Sequence, residues 1–162
     1  MAQSSAQSNA QSATASSLDQ RPSLTLTRRL RARPEKVYAA WTEPQNLVQW
    51  FAQAQARPSS LQASLDVRVG GRYRISFTDA ASGEYHEVGG VYRDVAPNER
   101  LQFTWAWHST PERESLVTIS FKPDAVGTLM TFRHEQFADQ AARDNHEKGW
   151  SKFFDVLEKF VG

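Results

Sequence analysis

Six consecutive segments between residues 65 and 134 alternate apolar and polar side chains with a period of two, and one long helical pattern follows them. Such alternation predicts β-strands with one buried face. The connections between the segments are short, so neighbouring strands are expected to run antiparallel. An antiparallel sheet with one apolar face needs a cover. The only predicted element long enough to supply that cover is the C-terminal helix.

This helix is predicted from about Asp139 to Val161. Large apolar residues recur along it at steps of three and four, which is the spacing of one helix face. They are Trp150, Phe153, Phe154, Leu157 and Phe160. Gly149 lies at the edge of this face, although glycine costs about 1 kcal/mol relative to alanine in a helix. We expect this glycine either to leave room where the gap between sheet and helix is widest, or to allow close packing of helix on sheet.

One strand and two short helices are predicted before the main strand region. Leu24 to Leu30 alternates at first and indicates a strand. Pro34 and Pro44 each open a short helix, since proline is favoured at the first helical position. The residues before them, Arg33 and Glu43, are weak caps, so these helices must depend on tertiary packing.

Two glycine pairs divide the main strand region. Leu65 to Val69 is predicted as a strand, and Gly70-Gly71 after it predicts a tight hairpin turn. Gly89-Gly90 interrupts a longer strand, which predicts a bulge or a sharp bend at that point.

The first part of the chain differs in composition from the rest. Residues 1 to 21 are nearly all Gln, Ser, Ala, Asn and Thr, which cannot bury enough apolar surface to offset the entropy of ordering. We therefore predict a disordered tail over residues 1–21 and a single folded domain over residues 22–162, in keeping with a length of 162 residues.

Charge and composition argue against several classes of protein. The formal net charge of +1 is not that of a typical nucleic-acid binder. No apolar run is long enough for a membrane span, and the N-terminus lacks the basic and apolar regions of a secretory signal. With no cysteine, no disulfide can form. A cytoplasmic location is expected.

Five stretches of the sequence, in this order, resemble a known superfamily. They are "PEKVYAAWTEPQNLVQWF", "VRVGGRYRISF", "GGVYRDVAPNERLQFTW", "VTISFKPDAVGTLMTFRHEQF" and "GWSKFFDVLEKF". The pattern resembles the SRPBCC superfamily, also called START-like or Bet-v-type. Within it, the chain is most similar to the group named after the C-terminal domain of the activator of the heat-shock-protein-90 ATPase, the AHSA-like group.

The resemblance implies an α+β helix-grip fold. A strongly curved antiparallel sheet of about seven strands, in the order β-α-α-β6-α, would wrap around the C-terminal helix and leave a ligand-sized cavity. Members of the superfamily mostly bind hydrophobic or amphipathic small molecules in that cavity. The resemblance also implies two alternatives: a chaperone ATPase co-factor or stress-response protein-interaction domain, and an enzyme of the cyclase or dehydratase type. The first function, binding a hydrophobic or aromatic small molecule, requires no catalysis.

Strand alternation and helix spacing together predict which side chains face the space between sheet and helix. The predicted ligand-binding residues are Tyr73, Phe77, His86, Phe103, Trp105, Trp107, Ile119, Met130, Phe132, His134, His146, Trp150, Phe153 and Phe154. Aromatic rings offer flat apolar surface, and a few polar groups among them could orient a ligand. The alternative is ordinary core packing, with the histidines hydrogen-bonded or at the rim.

An enzyme would need a group that takes up a proton, and His86 and His134 are the two candidates for a general base. The four histidines form no HxH or HExxH pair, so no bound metal is expected. The sequence contains no glycine-rich phosphate loop and no GxSxG turn, so no cofactor is expected either.

Overall fold

The computed structural model describes residues 20–162, so the predicted tail lies almost entirely outside the described residues. The elements are the strands β1 (Leu24–Leu30), β2 (Gln62–Leu65), β3 (Arg72–Thr78), β4 (Tyr85–Ala96), β5 (Arg100–Trp107), β6 (Ser115–Pro123) and β7 (Thr128–Glu135), and the helices α1 (Pro34–Thr42), α2 (Pro44–Leu47) and α3 (Gln140–Val161). This order confirms the predicted α+β helix-grip fold.

The strands form one seven-stranded sheet in the order β1-β7-β6-β5-β4-β3-β2. Every neighbouring pair is antiparallel. Strand β1 joins the sheet beside β7, at the edge near α3. There Arg28 of β1 donates to Asp155 of α3 at 2.7 Å. An ion pair, as well as apolar packing, therefore holds the helix against the edge of the sheet.

Aromatic rings fill the space between sheet and helix along the middle of α3. The Trp150 ring lies 4.6 Å, centroid to centroid, from Phe132 of β7, and 6.0 Å from Trp41 of α1. Phe51 also lies within 6.0 Å of Trp150. The cavity that remains among these buried rings is about 20 Å³, enough for about one water molecule. A ligand-sized cavity is therefore not present beneath the middle of the helix.

The predicted strand from Leu65 to Val69 is wrong. Strand β2 covers Gln62–Leu65, and residues 66–71 form the connection to β3. A hydrogen bond from the Gly71 N–H to the Arg68 carbonyl closes a turn there, and Val69 is 66% exposed. The alternation in this segment resembles a strand, but the turn begins before the glycine pair.

Strand β4 continues through Gly89-Gly90, where a bulge or a sharp bend is predicted. The register of β4 on β5 shifts between Tyr92 and Asp94 instead. At Gly90 the two strands approach so closely that an added Cβ would lie 2.0 Å from the Thr104 carbonyl oxygen. Glycine is therefore required at residue 90 for the contact between strands.

The apolar face of α3 is narrower than the spacing predicts. Trp150, Phe154 and Leu157 are buried, but Phe160 is 37% exposed and Phe153 only half-buried. The helix begins where expected, because Asp139 caps it by accepting a hydrogen bond from the Ala142 N–H.

Replacing Gly149 with alanine is expected to raise the free energy of unfolding by about 1 kcal/mol, the difference in helix propensity. A Cβ added to Gly149 would meet nothing within 4 Å outside its own helix backbone, so no clash offsets the gain. Urea denaturation of the two proteins measures the difference. A loss of stability would contradict this account of the glycine.

Candidate functional site

An open groove lies between the sheet and the first half of α3. Its volume is about 500 Å³. We call it the aromatic groove and define it by Phe77, His86, Trp107, His146, Gly149 and Phe153, with Trp105 and Trp150 also lining it. Strands β3, β4 and β5 supply one wall and α3 supplies the other.

Gly149 explains why this side of the helix leaves room. It lines the groove, and the space where a side chain would extend is empty to at least 4 Å. Of the two predicted explanations for the glycine, the structure agrees with the first: the residue lies where the gap between sheet and helix is open.

A second opening of about 330 Å³, which we call the side groove, adjoins the aromatic groove. Trp107 and His146 line both spaces. Arg113 and Asp139, joined by an ion pair of 3.2 Å, lie at the side groove. The contact between Trp107 of the sheet and His146 of α3 therefore lies between two open spaces.

His146 is held in one tautomer. Its Nδ1 lies 2.7 Å from the Ala142 carbonyl oxygen. A carbonyl can only accept, so Nδ1 carries the proton and Nε2 is left as an acceptor. The Nε1 groups of Trp107 and Trp105 donate to this Nε2 at 3.0 and 3.4 Å. Burial lowers the pKa of His146 below its ordinary value, which favours the neutral ring.

His134 is fully buried and uses both ring nitrogens. Trp150 donates from Nε1 to His134 Nδ1 at 3.1 Å. Nε2 must then carry the proton, which it donates to Ser115 Oγ at 2.7 Å. Ser115 in turn donates to the Trp105 carbonyl. Burial, with a smaller contribution from nearby His146, holds the pKa of His134 well below its ordinary value.

Acid is therefore expected to destabilise the fold. The unfolded chain protonates its histidines as the pH falls through about 6.5, while folded His134 resists protonation. The unfolded state then binds more protons, so the free energy of unfolding should fall below about pH 6.5, by up to about 1.4 kcal/mol per pH unit for His134. His146, which is less buried, adds a smaller effect.

Urea denaturation at several pH values between about 5 and 7 measures this slope. The His108→Gln variant is the matched control, because the side chain of His108 is 80% exposed. It should keep the slope, and His134→Gln should reduce it. A stability that does not change with pH in this range would contradict the neutral, buried state of His134.

His86 is the one of the two candidate bases that reaches the aromatic groove. Its half-buried ring lies 5.4 Å from Phe77 and 6.1 Å from Trp107, centroid to centroid. Its Nε2 is 3.9 Å from a carboxylate oxygen of Glu84. His134 cannot act as a base in the groove without breaking its hydrogen bonds to Trp150 and Ser115.

The remaining predicted site residues divide between groove and core. Those that meet at the aromatic groove are Phe77, His86, Trp105, Trp107, His146, Trp150 and Phe153. Tyr73 and Phe103 border the small cavity among the buried rings instead. The residues with no exposed surface, which belong to the packed core, are Ile119, Met130, Phe132, His134 and Phe154. Alternation identified the inward face of each strand, but it does not specify the position along the strand where the groove opens.

Four polar residues of the groove were missed. Asn145 lies one helical turn before Gly149, so helical spacing could have found it. Gln55, Ser109 and Thr110 lie in connections between elements, where no periodic pattern marks them.

Across residues 20–162, no three His, Asp or Glu side chains are grouped so that they could hold a metal ion. None of the helices α1 to α3 is long and apolar enough to cross a membrane.

The sequence of residues 31–162 matches the family described as "Activator of Hsp90 ATPase homolog 1-like protein". The chain belongs to this family. The match covers every element from α1 to α3, and it confirms the predicted resemblance. No curated protein matches the sequence.

Several solved structures are similar to this family member. Protein CV1439 from Chromobacterium violaceum is 30% identical, with 86% of this chain and 96% of that chain covered and a TM-score of 0.74. An uncharacterised protein from Rhizobium leguminosarum is also 30% identical, with 88% and 95% covered and a TM-score of 0.73. DynU16, from the dynemicin biosynthetic locus, is 20% identical, with 86% and 46% covered and a TM-score of 0.70; this likeness shows the fold alone.

Proposed function

We propose that this protein binds a flat hydrophobic or aromatic small molecule in the aromatic groove. The observation that carries the proposal is an open space of about 500 Å³ between aromatic walls, opposite a helical glycine. Sites for small molecules are typically concave, mostly apolar and roughly 300–1,000 Å³ in volume. Binding at this site requires no catalysis.

The walls of the groove suit a planar ligand. Trp107 and Phe153 are half-buried, so each has ring surface left to cover. Aromatic rings stack on one another in offset or edge-to-face arrangements, which adds about 0.5–1.5 kcal/mol per pair to the gain from burial. His86 lies at the same groove and offers a polar contact at its edge.

The groove is a better candidate than the interior of the fold. The small cavity of about 20 Å³ is separated from the groove by Trp105 and Trp150, which line both spaces. Admitting a ring there would require the core around Trp41 to open. The groove needs no such rearrangement.

Blocking the groove should weaken binding. N-phenyl-1-naphthylamine, a neutral probe that fluoresces in apolar surroundings, is expected to bind the unaltered protein. Gly149→Leu should weaken this binding at least about tenfold, because the new side chain fills the groove. The Cβ of that leucine meets no clash, so the fold should persist.

Lys152→Leu is the matched control for Gly149→Leu. It adds the same apolar side chain to an exposed position of the same helix, outside the groove. Binding should be unaffected. No binding to the unaltered protein, or equal binding by Gly149→Leu, would overturn the proposed function.

A second candidate function is regulation of a chaperone ATPase, which the description of the family favours. Purified protein added to an Hsp90-type ATPase would be expected to change its turnover. An unchanged turnover would remove this candidate. The enzyme of cyclase or dehydratase type remains a further prediction, with His86 as the candidate base that reaches the groove.

A further inference from the structure

We propose that the aromatic groove selects ligands that carry a carboxylic acid, and that each such ligand binds together with one proton at the His146 end of the groove. This inference rests on the proposed function and specifies the polar end of the ligand. It comes from the hydrogen bonds that converge on the His146 ring.

Two donors share one acceptor at this point. The indole N–H groups of Trp107 and Trp105 both point at His146 Nε2, from 3.0 and 3.4 Å. A neutral imidazole has a single in-plane lone pair on that nitrogen. One lone pair cannot satisfy two donors well, so the longer bond, from Trp105, is the weaker one.

The other nitrogen of His146 is already committed. Nδ1–H donates to the Ala142 carbonyl at 2.7 Å, so a second proton can be added only at Nε2. Protonation would leave three N–H donors facing one another without an acceptor. In a partly buried site such unpaired donors are costly. An oxygen anion that reaches this point resolves the conflict, because it can accept from all three donors through charge-assisted hydrogen bonds.

Trp107 leaves a route for that oxygen. Its indole is half-buried and lines the aromatic groove, whereas Trp105 is buried. Once Nε2 is protonated, the Trp107 N–H loses its acceptor and the bond that holds the indole to α3. The ring of Trp107 can then turn within the groove and admit the carboxylate of a ligand.

The charged groups around His146 do not supply the missing anion themselves. On α3, Asp144 and Glu147 both pair with Arg143. In the side groove, Asp139 pairs with Arg113 at 3.2 Å. In the described residues, therefore, the carboxylates nearest His146 along the helix and in the side groove are engaged by arginines.

Among residues 20–162, the strands that pack against His146 present histidines, and no carboxylate forms an ion pair with its ring. His134 of β7, whose ring lies 5.3 Å away, is buried and neutral. His86 of β4 lines the opposite wall of the aromatic groove and faces Glu84. With no anion in contact, burial lowers the pKa of His146 in the free protein. A bound carboxylate would raise it.

The proton balance is the same for two arrangements. The proton can reside on Nε2 next to an ionised ligand, or on the ligand's carboxyl group, which then donates to neutral Nε2. In both cases the complex forms from the protein with a neutral His146 ring, a carboxylate from solution and one proton. The apparent affinity should therefore fall about tenfold per pH unit above the pKa of free His146.

Isothermal titration calorimetry with 2-naphthoate and its neutral isostere 2-naphthamide tests this inference. Between about pH 6.5 and pH 8.5, the dissociation constant of 2-naphthoate should rise about tenfold per pH unit, and that of 2-naphthamide should stay within about twofold. Titration in two buffers of different ionisation enthalpy should show uptake of about one proton per 2-naphthoate and none for 2-naphthamide.

Two variants assign the proton to its residue. His146→Gln keeps an acceptor oxygen but cannot take up a proton, so proton uptake and the pH dependence should both disappear. His108→Gln, whose altered side chain lies outside the groove, should keep both. Equal binding of the two naphthalenes by the unaltered protein without proton uptake would overturn this inference and leave the proposed function standing. If the unaltered protein binds neither naphthalene compound and does not bind N-phenyl-1-naphthylamine, both the inference and the proposed function are overturned.

Discussion

Replacing Trp150 with alanine is expected to lower the free energy of unfolding by about 3–5 kcal/mol, the range for large aromatic residues in a packed core. The side chain is only 2% exposed and lies 4.6 Å from the Phe132 ring and 5.0 Å from Trp105. The truncation also removes the donor to His134 Nδ1, which leaves a buried acceptor without its partner. Urea denaturation followed by circular dichroism measures the loss.

Phe160→Ala is the matched control, because it removes an aromatic ring from the same helix at a position that is 37% exposed. The expected loss is about 1 kcal/mol or less. Similar losses for the two variants would contradict the packing described here, in which Trp150 joins the core and Phe160 lies outside it.

Replacing Gly90 with alanine is the second change with a large expected effect, a loss of about 3 kcal/mol or more. The added methyl group would lie 2.0 Å from the Thr104 carbonyl oxygen, so β4 and β5 would have to move apart. That movement would disturb the hydrogen bond from the Tyr73 hydroxyl to the Thr104 carbonyl and the one from the Val91 N–H to Thr104 Oγ1. Urea denaturation and backbone amide exchange in β4 and β5 report the effect.

Gly149→Ala serves as the control for this variant, since it makes the same chemical change where no clash follows and stability should rise. A Gly90→Ala protein as stable as the unaltered one would show that the strands can absorb the methyl group, and the account of Gly90 would fail.

Local patterns were sufficient where one face of an element is buried along its whole length. Val117, Ile119 and Phe121 of β6 alternate in sequence and are all buried, as predicted. Local patterns failed where the same alternation continues beyond the strand: Val67 and Val69 follow β2 in sequence but lie in the connection to β3. The Gly71 to Arg68 hydrogen bond that closes the turn after β2 leaves no mark in the alternation.

The sequence predicted which residues face the space between sheet and helix, but not the contacts between them. Trp105, Trp107 and His146 were all expected to face the space between sheet and helix, and they meet at the groove. Their hydrogen bonds could not be predicted, because β5 and α3 are about 40 residues apart in sequence and only packing brings the indoles to the imidazole.

The sequence by itself determined the order of the elements, the inward face of most strands and the family to which the chain belongs. Each of these depends on periodicity within one segment or on the order of segments. Only the tertiary structure decided that the space under α3 is filled around Trp150 and open beside Gly149. The physical reason is that Trp41 and Phe51, from a separate part of the chain, pack against Trp150, and volume shared between distant segments leaves no periodic signal in either.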